Sequence, residues 1–264
     1  ITAILKSPSF NIQNQKYIDK INAIARGNIR IAVMCAMVAH KHQSLTALDN
    51  ISKLYEFYFK DAYEKIQATG TNALKTLGII SFFRVISKEQ TETNKKIFSI
   101  FPITEDEFWK QCFELNKLEF VDLFEDHVVK ISDQILSTHL FYKTFFDTKE
   151  LDFSALINNF IEFETNFIDS INPLLIAYDY KNIKNKLEQV ISNEWENLKS
   201  KLPHLQILKI LSIFWFCIEN KCLAYFHEYL SELPICDNPE YKFDYEHNQM
   251  SSGYTKDILS ILSD

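Results

Sequence analysis

Arg30 is the first residue whose position invites chemistry. It stands in "IARGNIRIAVMCAMVAHKH", residues 24–42, where Gly27 and Asn28 come directly before a long run of good helix formers. An arginine in the first turn of such a helix adds its forked guanidinium to the free N–H groups and partial positive charge of the helix N-terminus. That combination suits a phosphate. The same pattern also describes an ordinary helix end with a solvated arginine, and the residues alone leave both readings open.

Other chemically capable residues point to structural roles. Cys217, Cys222 and His227, with Cys236 further on, resemble a ligand set in composition. The spacing within one apolar stretch is not that of a compact zinc site, and free cysteine is a strongly buried residue type, so these read as core cysteines. His40 and His42 flank Lys41 at the end of the helix that Arg30 opens, where cations suit the helix dipole. Glu105 and Glu107 fall in a first turn, where the same dipole favours carboxylates. No G-x-x-x-x-G-K-[ST], G-x-G-x-x-G or H-E-x-x-H pattern occurs. The expectation is therefore no catalytic residue, no metal ligand, no bound cofactor and no ATP hydrolysis by this chain alone.

The elements that must position Arg30 are helical. The 264 residues are 47% hydrophobic and include 22 Phe, against 4 Gly and 6 Pro, so core material is plentiful and turns are few. Ile18, Ile21 and Ile24 recur at helical spacing. After Gly27 the pattern continues through Ile31, Val33, Met34, Met37 and Val38, then through Leu48, Ile51, Leu54, Tyr55 and Tyr58. Residues 1–70 thus read as a helical bundle, with Ile29, Ile31 and Val33 anchoring the helix of Arg30.

Residues 71–150 read as a winged-helix unit. Ala73 to Ile86 is apolar almost all round, and "ITEDEFWKQCFELNK" carries a capping box with Thr104 as N-cap and Glu107 at N3. The period then drops to two in "EFVDLFEDHVVKISDQ", a hairpin turning at Glu125 and Asp126, before a helix resumes in "DQILSTHLFYKTFF". Residues 151–264 read as solenoid-like α-helical hairpins. One helix begins at Pro173, another at Pro203, and a single run follows through "HLQILKILSIFWFCIENKCLAYFHEYL", in which Trp215 is expected to be buried. Cys236 to Gly253 reads as a loop. The fold class is mainly α, with one β-hairpin.

Charge and cysteine usage narrow the partners. A net charge of −7 does not advertise nucleic acid or an anionic membrane, and five scattered cysteines suit reduced thiols in a cytoplasmic protein. The strongest apolar run, Ile210 to Ile218, is about half the length that a bilayer span requires. Between Thr104 and Phe146 there are nine carboxylates against four lysines. The beginning, "ITAILKSPSF", and the end, "YTKDILSILSD", read as cuts through a longer protein.

"IARGNIRIAVMCAMVA" resembles the "GNPRLA" segment of the helical lid that follows the nucleotide-binding core of STAND-class P-loop NTPases. "LKTLGIISFF" and "VVKISDQILSTHLFYKTFF" resemble the winged-helix unit after that lid, particularly in large bacterial STAND proteins of antiviral defence. The resemblance covers about residues 15 to 150. It matches Gly27 and Asn28 to the lid turn and Arg30 to the basic residue after it, while Ile29 stands where the family has proline. What it implies is a regulatory module without activity of its own. An upstream ATPase core would bind ATP and Mg, a separate effector would act, and a downstream helical array would sense a ligand, such as a protein. Lid and winged helix would hold the ATPase closed until the sensor is engaged and then permit oligomerisation.

Two other classes compete with this reading, a helical protein-binding scaffold and a winged-helix DNA-binding regulator. The acidic balance disfavours the second, since phosphate backbones are held by lysine and arginine. Fluorescence anisotropy with random duplex DNA at physiological salt is expected to show no binding. Salt-sensitive binding lost on substituting Lys110 and Lys117 would restore the DNA-binding reading.

Overall fold

The computed structural model describes residues 1–25, 27–42, 51–232, 243–244 and 249–250. Leu48, Cys236 and the segment "YTKDILSILSD" lie outside the described residues. The chain divides into two compact units, one formed by Ile1–Leu151 with Ser170–Tyr180 and the other by Asp152–Asp169 with Lys181–Asp264.

The first unit opens with α1 (Thr2–Leu5), α2 (Gln15–Ala25), α3 (Ile29–His42), α4 (Ile51–Tyr58) and α5 (Lys60–Thr69). The apolar spacing of α2 buries Ile18, Ile21 and Ala25 along one stripe. In α3 the buried set includes Ile31, Met34, Cys35 and Val38. Ile29 departs from the expected anchoring role. As the first residue of α3 it is 56% exposed, and Ile31 begins the buried stripe instead.

The winged-helix arrangement follows as α6 (Ala73–Phe83), β1 (Val85–Ser87), α7 (Thr91–Ile100), α8 (Glu105–Lys117), β2 (Val121–Phe124), β3 (Val128–Ile131) and α9 (Gln134–Tyr142). The antiparallel sheet has the order β1-β3-β2, with Ile86 opposite Val129 and Leu123 opposite the same residue from the other side. Helix α6 ends three residues earlier than its apolar run suggests, because Arg84 takes a φ of +67° and the chain turns into β1. A three-residue strand offers too little alternation to be seen in sequence. The capping box forms as expected. Glu107 N donates to Thr104 Oγ1 at 3.3 Å, and Thr104 N donates to Glu107 Oε2 at 3.2 Å. The wing turns at Glu125 and Asp126, both with positive φ, and His127 N donates to the Phe124 carbonyl.

Nearly every residue of α6 is buried, Lys75 being the exception, so this helix is the centre around which the unit packs. At Gly78 it closely approaches the continuation of α9, a π-turn over Lys143–Asp147. The wider π-turn carries Thr144, Phe145 and Phe146 into the interior together, which the narrower α-helical turn does less readily. Gly78 makes room for it. A Cβ at Gly78 would lie 2.8 Å from Thr144 Oγ1 and closer still to its methyl carbon. The Thr144 hydroxyl donates to the Leu74 carbonyl at 3.3 Å, one helical turn before Gly78.

The second unit is built from α10 (Phe153–Phe160), α11 (Glu164–Ala177, whose last residues belong to the first unit), α12 (Tyr180–Lys201), α13 (His204–Phe214) and α14 (Glu219–Glu232). Phe153, Phe167 and Phe214 meet edge to face at its core, with centroids 5.9 to 6.4 Å apart. Pro203 caps α13 as expected. Pro173, in contrast, lies inside α11 instead of beginning a helix. The chain breaks earlier, at residues 161–163, and the helix continues through the single backbone donor that proline lacks. The expected single run after Pro203 is interrupted by a 3-10 turn at Trp215–Cys217. That turn buries Cys217 and Ile218 and leaves Trp215 half-buried, whereas Trp195 in α12 is 4% exposed. Within the expected loop over Cys236 to Gly253, Phe243–Asp244 (β4) pairs antiparallel with Gln249–Met250 (β5). Two-residue strands are too short for a period to register.

Gly78→Ala is expected to destabilise the protein by about 1–3 kcal/mol through overpacking, read as a fall in the urea midpoint. The loss is expected to shrink when Thr144→Ala is added. Additive losses would mean that the two sites do not share the contact.

Candidate functional site

Gly27, Asn28 and Arg30 form one local device. Gly27 sits at a φ of +87°, a backbone that residues with a Cβ adopt only at a cost, and nothing lies within 4 Å of where a Cβ would stand. The glycine is therefore required by the turn and not by crowding. Asn28 N donates to the Ala25 carbonyl at 2.7 Å, closing that turn. Its side-chain Oδ1 accepts from Ile31 N at 3.2 Å, and its carbonyl accepts from Ala32 N, which makes Asn28 the N-cap of α3.

Arg30 is the second residue of α3 and its side chain is 66% exposed. Its Nη1 lies 3.6 Å from Asp133 Oδ2. Asp133 is itself a cap, with Oδ1 accepting from Leu136 N at 2.8 Å at the start of α9. One carboxylate thus does two jobs, closing the first turn of α9 and holding the arginine from the first turn of α3. The bundle and the winged helix are tied by residues 103 positions apart in the sequence. Both side chains are well exposed, so the ion pair contributes at most about 1 kcal/mol. A group of higher negative charge could displace Asp133, and the first-turn N–H groups of α3 would support it there.

Asp133 also acts on a buried aromatic cluster. Its charge is the second cause, after burial, that raises the Tyr55 hydroxyl to about 12. Tyr55 packs edge-on against both His139 and Tyr178. His139 Nδ1 lies 3.0 Å from Tyr178 Oη in a buried hydrogen bond, while Phe59 stacks on the imidazole at 4.9 Å and Tyr142 stacks on Tyr178 at 4.1 Å. Burial first, and then the Lys143 ammonium, push His139 down to about 4. It is a neutral imidazole embedded in rings, which the apolar surroundings of "QILSTHLFY" foreshadow but do not assign.

Cys217 and Cys222 are buried, and burial pushes their thiols up to about 12 and about 11, away from reactivity. His40 and His227 are exposed. Among the described residues no group of three His, Cys, Asp or Glu is placed to hold a metal ion. No described helix is long and apolar enough to cross a membrane.

The His139 shift sets a pH dependence. A histidine near 6.5 when unfolded and about 4 when folded stabilises the fold fully above pH 6.5. That stability is lost as pH falls from 6.5 through 4, on the order of 3 kcal/mol in all. Urea denaturation at pH 7, 6 and 5 is expected to show a decline that His139→Gln flattens. An unchanged decline in the variant would assign it elsewhere, for instance to His204, which shifts the same way. Comparison with protein families, curated proteins and solved structures finds nothing that matches this chain.

Proposed function

We propose that this chain is a regulatory module of a STAND NTPase of the bacterial antiviral type, coupling a sensed ligand to opening of an ATPase core and to oligomerisation. The observation that carries the reading is the Arg30–Asp133 pair between the first turn of α3 and the cap of α9. In this reading Arg30 has two alternative partners. Without nucleotide at the lid it rests on Asp133. With nucleotide bound to the upstream core, its guanidinium and the α3 N-terminus turn to phosphate, and the tie to the winged helix is released. The exchange requires a weak resting pair and an accessible arginine, and an exposed contact at 3.6 Å supplies both.

The module itself holds no catalytic group in this proposal. ATP and Mg belong to the upstream core, a separate effector acts, and the partners are that core and the downstream helical sensor, in the cytoplasm. A second reading, a protein-binding scaffold, is favoured by Leu205, Leu223 and Leu230, which α13 and α14 leave 43–57% exposed.

Three measurements test the nucleotide reading. Calorimetric titration of the isolated chain with ATP and Mg is expected to be silent, and micromolar binding would overturn the assignment of nucleotide to the upstream core. In the intact protein, Arg30→Ala is expected to weaken nucleotide retention or nucleotide-dependent assembly, with Arg30→Lys recovering only part because it keeps the charge and loses the fork. Asp133→Asn, which preserves the cap of α9, is expected to favour the released state. Normal retention and assembly in Arg30→Ala would leave the scaffold reading.

A further inference from the structure

A cleft of about 700 Å³ in the first unit plays no part in the nucleotide reading. Its walls carry the half-buried rings of Phe10, Phe57 and Tyr58 and are completed by the buried Phe59 and Phe120. These come from the segment after α1, from α4 and the residue following it, and from the turn into β2. Met37 and Leu118 extend the apolar lining, and both are more than 40% exposed, so the cleft is open to solvent. A mostly apolar, aromatic cleft of this size with a few polar groups at its lip suits a small organic molecule.

The charges at the lip select the class of molecule. Lys41, Asp61 and Glu119 are the Lys and carboxylate groups of the lining. Lys41 Nζ donates to Asp61 Oδ2 at 2.7 Å, and that bond holds the Asp61 carboxyl below its ordinary value. The two charges cancel, and among the described residues no cation pairs with the Glu119 carboxylate. Glu119 is held at the lip by a left-handed backbone, φ +62°, and by the Ser132 hydroxyl, which donates to its carbonyl at 2.8 Å. His40 and Tyr58 are the other ionisable side chains among the described residues of the lining. Phenylalanine and tyrosine rings attract cations to their faces, and an unneutralised carboxylate beside them attracts the same sign. An anionic ligand would meet Glu119 and would have to compete with Asp61 for Lys41.

We propose that this cleft is a binding site for a flat organic cation, with the ring system among the five aromatic side chains and the positive charge at Glu119. The site requires neither nucleotide nor an upstream domain, so it stands apart from the role of Arg30.

The test uses two dyes on the whole chain at pH 8, thioflavin T as the aromatic cation and anilinonaphthalene sulfonate as the aromatic anion, followed by fluorescence titration. Thioflavin T is expected to bind saturably at one site per chain, and the sulfonate at least about five-fold more weakly. Glu119→Gln is expected to weaken thioflavin T binding about two- to five-fold. Ala62→Trp, which fills the cleft, is expected to weaken it more than about ten-fold. Should Ala62→Trp not fold by circular dichroism, Met37→Lys at an exposed position brings a repelling charge to the lip and is expected to give the same loss. Absence of saturable binding, equal binding of the anionic dye, or binding indifferent to Glu119→Gln or to the cleft variants would each overturn the proposal.

Discussion

The close approach of α6 to the π-turn after α9, at Gly78 and Thr144, is the contact on which the first unit depends. A helix buried at every position but Lys75 has little solvent side to absorb misfit, so its neighbours are accommodated mainly by side-chain volume. Gly78 gives up a side chain, and Thr144 fills the space and ties its hydroxyl to the Leu74 carbonyl. The extra residue of the π-turn then lets Phe145 and Phe146 enter the core as well, where Phe145 packs against Phe141 and Phe101. Strands β1 and β3, the capped helix α8 and the wing are arranged around this centre.

Helix α9 therefore has two ends with different roles. Its C-terminal end is clamped against α6 by packing. Its N-terminal end is capped by Asp133, which also holds Arg30. Burial makes the first attachment strong, and solvent makes the ion pair at the other end weak. Between them, His139 bonds to Tyr178 and stacks on Phe59, so the middle of the helix is fixed by groups that are costly to charge.

The aromatic cleft uses the same two layers in another way. Phe57, Tyr58 and Phe59 come from the bundle, and Phe120 and Leu136 come from the winged helix, so an occupant would touch both. Leu136 is also the residue whose amide Asp133 caps.

Much of the local structure was legible in the sequence because its signals act over a few residues. The isoleucine spacing of α2, the Gly27–Asn28 turn, the Thr104–Glu107 capping box, the Glu125–Asp126 turn and the cap at Pro203 each depend on neighbours within about one helical turn. Arg30 could be placed at a helix mouth on the same grounds. Its partner could not, because nothing in the spacing of residues 30 and 133 links them, and only the packing of α3 and α9 brings the two charges together. The same holds for His139 and Tyr178, 39 positions apart, and for β1, whose three residues become a strand only when β3 offers its backbone. Pro173 inside α11 and the half-buried Trp215 show tertiary packing overriding a local preference, since a buried apolar face outweighs one missing donor or one exposed ring. Periodicity and caps determined that this chain is helical and where many of its helices begin. The tertiary structure decided which charges, rings and glycines meet, because those contacts join residues far apart in sequence.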